Sequence, residues 1–162
     1  MSQDGSNGIT SRVMDGLFEQ GVYIGNFAHN MDARNRVTVP SNWRVEGDEG
    51  NFYFGWPDKS GCISVMPPHM LQGLLAKARD LKQQNVQTQA ALRRFFGKGT
   101  QFGCDKQGRI LLSETLLKHA GITKPVVMVG LGLTFQIWNP ERYEEADAAF
   151  DVADAGAELE FF

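Results

Sequence analysis

Short β-forming stretches, some alternating and some wholly apolar, are interleaved along this chain with stretches whose apolar positions recur near every 3.6 residues, so strands and helices alternate in groups along its length. Val22, Tyr23, Ile24 and Phe27 lead as β-formers into a polar turn at Asp32. Arg36-Val37-Thr38-Val39 alternates and stops at Pro40, which lacks the N–H a ladder needs. Ser41 is placed to cap a short helical piece through Trp43, Arg44 and Val45, before a loop over 48–51. Phe52–Phe54 and Cys62–Met66 read as the next two strands. Pro67-Pro68 then opens a helix in which Leu71, Leu74, Leu75, Ala78 and Leu81 form one stripe, predicting a single buried face. The pattern lapses over 83–88 and resumes in a second helix through Ala91, Leu92, Phe95 and Phe96, ended by Gly97.

The second half repeats the plan. Thr100–Cys104 and Ile110–Leu112 flank a polar turn, and Ser113 caps a helix that Gly121 stops. Val126–Val129 is an apolar strand, Thr134–Trp138 alternates, and Asn139-Pro140-Glu141 is a strong helix start. Tyr143, Ala146, Ala149, Phe150 and Ala153 predict one amphipathic helix beyond it. A short helix is also predicted over 13–19.

The resemblance between halves extends to individual residues. Asp32-Ala33-Arg34-Asn35-Arg36 and Asp105-Lys106-Gln107-Gly108-Arg109 share an acid, three turn residues and an arginine, 73 positions apart. The same shift lays Val37 on Ile110, Val39 on Leu112 and Pro67 on Pro140, which predicts two gapless copies of one unit. A connection of this length needs a residue at positive φ, and Asn35 and Gly108 stand where that residue is required. Asp32 and Asp105 then either accept turn N–H groups or hold the arginine in one orientation. A surface ion pair alone is the weaker reading, since a cap does not call for arginine at the fifth position twice. Arg34 stands between the two roles, as a presented cation or as a partner of Asp32.

Charge sharpens this picture. The chain carries −3 overall, but residues 1–20 hold −2 and residues 141–162 set eight acids against Arg142, so the body over 21–140 is +6. A basic body inside acidic ends fits a polyanion partner. Cys62 and Cys104 lack metal-ligand or CxxC spacing and read as reduced, packed side chains. His29, His69 and His119 are scattered, with no phosphate loop or catalytic constellation around them. The chain is therefore read as neither an enzyme nor a metal or cofactor carrier, and no apolar run is long enough to span a bilayer.

The paired turns, the run Arg109-Ile110-Leu111-Leu112, and the segment 117–124 followed by 126–130 and 135–138 resemble the MraZ family of bacterial transcriptional regulators, encoded at the head of the division and cell-wall gene cluster. That resemblance implies an α+β protein in which two tandem AbrB-like half-units form a swapped-hairpin (double-split) β-barrel with flanking helices. It divides the chain into a lead over 1–20, half-units over 21–70 and 98–143, connecting helices over 71–97, and an acidic end over 144–162. It implies a homo-oligomeric ring that binds short promoter repeats in double-stranded DNA, as a repressor, in the cytoplasm and on the nucleoid. By motif position Arg36 and Arg109 carry over as the DNA-binding residues, with Asp32, Asp105, Asn35 and Gly108 shaping the turns. Arg34 and Lys106 join them on the charge argument, so all four cations are expected on one DNA-facing surface. No small-molecule ligand is expected. Asn35 replaces the family's usual glycine, Ser113 stands where proline is common, and both ends are extended. A structural or interaction ring is the alternative, with the acidic end and its terminal Phe161-Phe162 docking a partner or a neighbouring subunit.

Overall fold

A computed structural model describes residues 23–44, 52–81, 84–150 and 152–160. The predicted helix over 13–19 and the terminal Phe161-Phe162 lie outside these residues. Among the described residues there are eight strands: β1 Asn26–Asn30, β2 Arg36–Thr38, β3 Phe52–Pro57, β4 Ile63–Met66, β5 Thr100–Gly103, β6 Arg109–Leu111, β7 Pro125–Gly130 and β8 Phe135–Trp138. Five α-helices accompany them among these residues: α1 Pro68–Arg79, α2 Val86–Phe96, α3 Glu114–Ala120, α4 Pro140–Ala148 and α5 Val152–Glu158. A 3₁₀ turn covers Ser41–Trp43.

All pairing is antiparallel. Six strands form one sheet in the order β1-β7-β8-β4-β3-β5, and β2 pairs with β6 as a separate two-stranded ribbon. The protein is thus a mixed α+β fold with an open sheet and a ribbon, and no continuous ladder joins them into a closed barrel among the described residues. One isolated bridge, Cys104 to Ile110, links the ribbon to the β5 edge.

The register carries the repeat. Phe27 pairs with Met128 as Thr100 pairs with Gly55, and His29 pairs with Val126 as Phe102 pairs with Tyr53. Within the ribbon, Val37 faces Ile110, its own counterpart. The shift is 73 through β3 and β7 but 72 afterwards, because Phe54 pairs with Met66 while Val127 pairs with Trp138. The β7–β8 connection is one residue shorter than the β3–β4 connection. The gapless alignment is therefore corrected: Pro68, not Pro67, is the counterpart of Pro140, and both occupy the first turn of a helix.

One face of the sheet carries the main core. Val37 and Ile110 of the ribbon, Trp43, and Leu116 and Leu117 of α3 pack against Tyr53, Ile63, Val65, Phe102, Met128, Phe135 and Ile137. The aromatic centre is tight, with Tyr23, Trp43 and Phe135 ring centroids 5.2–5.5 Å apart. The Trp43 indole N–H donates to the Ile24 carbonyl at 3.1 Å, so this buried ring leaves no unpaired donor. The opposite face holds a smaller cluster of Phe54, Met66 and Leu71, with Trp56, Phe95 and Phe96 half-buried against it.

The helices depart from their sequence patterns at these outer positions. In α1 only Pro68 and Leu71 are buried, and Leu75 and, beyond the helix, Leu81 stay 46% and 48% exposed. The predicted buried face is half realised: Leu71 is buried and Leu74 half-buried in the Phe54 cluster, while Leu75 and Leu81 are exposed. α2 begins at Val86, earlier than its apolar residues suggest, because the Asn85 side chain accepts from Gln87 and Thr88 N–H and caps it there. The predicted last helix is two, α4 and α5, separated at Ala149–Phe150; α4 buries none of its residues.

Candidate nucleic-acid interface

Each Asp-x-x-x-Arg turn is built the same way. Asp32 Oδ1 accepts the Arg34 and Arg36 backbone N–H groups at 2.9 Å each, and Oδ2 accepts Arg36 Nε–H at 2.7 Å. Asp105 Oδ1 accepts the Gln107 and Arg109 N–H groups at 2.9 Å each, and Oδ2 accepts Arg109 Nε–H at 2.8 Å. One carboxylate therefore performs both functions the sequence left open, shaping the turn with one oxygen and orienting the arginine with the other. The backbone closes with Asp32 N to Arg36 O and Asp105 N to Arg109 O, both 2.9 Å. Asn35 has φ 60° and Gly108 φ 80°, so both copies require the left-handed conformation expected there.

These bonds set the local electrostatics. The Arg36 N–H hydrogen bond is the main reason the Asp32 carboxyl sits below the usual carboxylate range, with the Arg34 N–H and the Arg36 guanidinium reinforcing it against partial desolvation. The Asp105 carboxyl is lowered likewise, first by the Arg109 N–H and then by the Arg109 side chain and Gln107 N–H. Both carboxylates stay ionised at neutral pH, so each arginine remains held.

The turns meet through the ribbon. Val39 N–H donates to the Gly108 carbonyl at 2.8 Å, and Leu112 N–H donates to the Asn35 carbonyl at 3.0 Å. Each turn thus receives the strand that follows the other, and the two are locked reciprocally. In the ribbon Arg36 is opposite Leu111 and Thr38 is opposite Arg109. Val37 and Ile110 point into the core, so alternation sends Arg36, Thr38, Arg109 and Leu111 to the outer face. The two arginines are diagonal neighbours there, with Cα atoms about 8 Å apart from ordinary strand spacing. Their side chains are 26% and 31% exposed. The turn tips bearing Arg34 and Lys106, both exposed, leave the ribbon at opposite ends.

The copies differ in how their arginine forks are occupied. Arg109 Nη2–H donates to the Gln107 side-chain oxygen, whereas Arg34 occupies the equivalent place in the first turn. Among the described residues, Arg36 has only Asp32 as a side-chain partner, so its two terminal nitrogens remain open. Arg34 forms no ion pair with Asp32; only its backbone N–H is engaged. Arg44, not singled out by sequence, lies across the second turn, with Nη1–H donating to the Gln107 carbonyl at 3.3 Å. A Cβ on Gly108 would fall 2.6 Å from that nitrogen, so glycine there opens room for a third cation. Nothing local announces Arg44. Its place follows from Trp43 being anchored in the core.

The other dense polar cluster locks the β3–β4 connection. Partial burial would raise the Asp58 carboxyl, but hydrogen bonds from Ser60 and Ser64 outweigh it and hold it low. His119, near the end of α3, bonds the Asp58 carbonyl through Nε2 at 2.6 Å. The end of α3 is served by Arg142, whose guanidinium donates to the His119 carbonyl at 2.9 Å. The Cys62 thiol is buried and pushed up to about 11, which leaves it a packed thiol at neutral pH. No helix is long and apolar enough to cross a membrane, and no group of three His, Cys, Asp or Glu could hold a metal ion among the described residues.

The family described as "MraZ protein, putative antitoxin-like" matches residues 95–157. A transcriptional regulator MraZ of Clostridium tetani is 32% identical over 142 residues, spanning 85% of this chain and 99% of that protein. Another from Clostridium acetobutylicum is 31% identical over 124 residues, 76% of this chain and 86% of its own length. One from Desulforamulus reducens is 32% identical over 134 residues, 80% and 93% respectively.

Proposed function

The chain belongs to the MraZ family, a family of transcriptional regulators rather than enzymes, and from that premise we propose that it is a sequence-specific DNA-binding regulator acting as a repressor of division and cell-wall genes. The observation that carries this reading is the pair of carboxylate-held arginines, Arg36 and Arg109, on one outward ribbon face. A guanidinium fixed through Nε keeps terminal nitrogens for a guanine edge or a phosphate, both of them in Arg36 and Nη1 in Arg109, and a two-stranded ribbon is narrow enough for the major groove. Arg34 and Lys106 contribute phosphate contacts from the turn tips, and Arg44 adds a third cation at the second turn.

In this reading the half-units over 21–70 and 98–143 act as one swapped-hairpin barrel, joined by the helices over 71–97. One ribbon covers only a few base pairs, so several copies in a homo-oligomeric ring reading repeated promoter sites supply the affinity by avidity. The site of action is the cytoplasm, on the nucleoid. Footprinting on the DNA upstream of the gene tests this: short, regularly spaced protected repeats are expected, and uniform cleavage at saturating protein would contradict the reading.

A further inference from the structure

Charge not used by the turns is gathered in two helical arms. Residues 68–98, spanning α1 and α2, carry six Lys and Arg against Asp80 alone; residues 140–160, spanning α4 and α5, carry eight acids against Arg142 alone. The arms are counterparts in the repeat, since α1 follows β4 and α4 follows β8, each with proline in its first turn. α1 packs on β3 and α4 on β7, with β4 and β8 lying between those strands. Three strand spacings, about 14 Å, separate the two supports.

Among the described residues no Lys or Arg of one arm pairs with an acid of its own arm. The only ion pairs among the described residues are the two within the turns. Arg142, the sole base of the acidic arm, is drawn inward to the Gly61 and His119 carbonyls at 3.2 and 2.9 Å. α2 has no buried residue, and Arg93, Arg94 and Lys98 line a shallow groove floored by Ala90 and Gly97. Apolar side chains accompany the charge on both sides, with Val86 at 78% exposure on the basic arm and Phe150 at 61% on the acidic one.

We propose that the basic α1–α2 arm of one copy docks the acidic α4–α5 arm of a second copy, head to tail. This rests on the assembly reading above and names the surfaces that would build it. Because the two arms occupy different flanks, pairing leaves each copy with a basic and an acidic arm to offer, so association propagates until it closes on itself. DNA is the competing polyanion for the basic arm. The geometry disfavours it, because the arm rests on the Phe54 face of the sheet and the ribbon covers the opposite face. A duplex lying along the ribbon is separated from the basic arm of the same copy by the sheet itself.

The test is the solution mass of the full chain by sedimentation, at about 0.1 M and about 1 M salt, where the Debye length falls from about 10 to about 3 Å. A multiple of 18.0 kDa is expected at low salt, with a shift to smaller species at high salt. R93E/R94E/K98E and E144K/E145K/D147K should each run as monomers with unchanged circular dichroism, and mixing them should restore the large species, since one then offers acidic α2 and α4 helices and the other basic α2 and α4 helices. If both variants keep the wild-type mass, the pairing of arms is wrong while the assembly reading stands. Loss of DNA affinity by R93E/R94E/K98E at unchanged mass would make the arm a nucleic-acid surface and overturn the proposal. A monomeric wild type in low salt would overturn the assembly reading and this proposal together.

Discussion

Asp32 and Asp105 explain why the motif needs an acid four residues before its arginine: a single carboxylate satisfies two turn N–H groups and fixes the guanidinium. Their lowered pKa makes the sign of the pH response definite. Stability from these groups is fully present above the ordinary carboxylate pKa and is lost as pH falls through the depressed folded values. Thermal unfolding followed from pH 7 down through the acid range should therefore show D32N/D105N losing less on acidification than the wild type; parallel curves would contradict this. The left-handed residues respond differently to substitution. Asn35→Gly removes a Cβ from φ 60° and should leave the melting temperature nearly unchanged, whereas Gly108→Ala adds one at φ 80° against Arg44 and should cost about 1 kcal/mol or more in chemical denaturation.

At the scale of elements, the β2–β6 ribbon joins the core and the candidate interface, since alternate residues of the same three-residue strands face each. Ile110→Ala deletes side-chain atoms from a fully buried site opposite Val37 and should destabilise by about 2–5 kcal/mol, read from denaturant midpoints at constant slope. Ser113→Ala removes the hydroxyl that accepts the Leu116 N–H at 3.3 Å and should cost about 1 kcal/mol. Strands, turns and the Ser113 and Asn139 helix starts were legible in the sequence because alternation, caps and turn residues act locally. The exchange of partners, β1 to β7 and β2 to β6, was not visible in hydropathy, because each turn closes as an ordinary hairpin turn would. Nor was the shortened β7–β8 connection, since the proline pair Pro67-Pro68 gave the alignment two choices one residue apart. The apolar stripe of α1 promised a buried face that a single copy only half covers.

For the whole molecule, the basic body visible in the sequence resolves into two separate features. Each turn carries a net charge of only +1, and most of the +6 belongs to the α1–α2 arm on the far face of the sheet. Sequence alone credited that charge to the turns, because linear order does not say which face an element occupies. Arg44 was missed for the same reason: its approach to the second turn runs across the fold, from residue 44 to residue 107. The proposed reading of DNA at the ribbon and the proposed assembly through the arms therefore lie on separate surfaces, and the two should fail independently under mutation. Fluorescence anisotropy on a duplex from the upstream region, against a scrambled duplex of equal length, tests the central claim most directly. Wild-type protein should prefer the upstream duplex and lose affinity steeply with salt, while R36A/R109A should lose that preference, at about 1–3 kcal/mol per arginine, without a change in assembly mass. Undiminished preference in R36A/R109A would contradict the assignment of the ribbon as the surface that reads DNA.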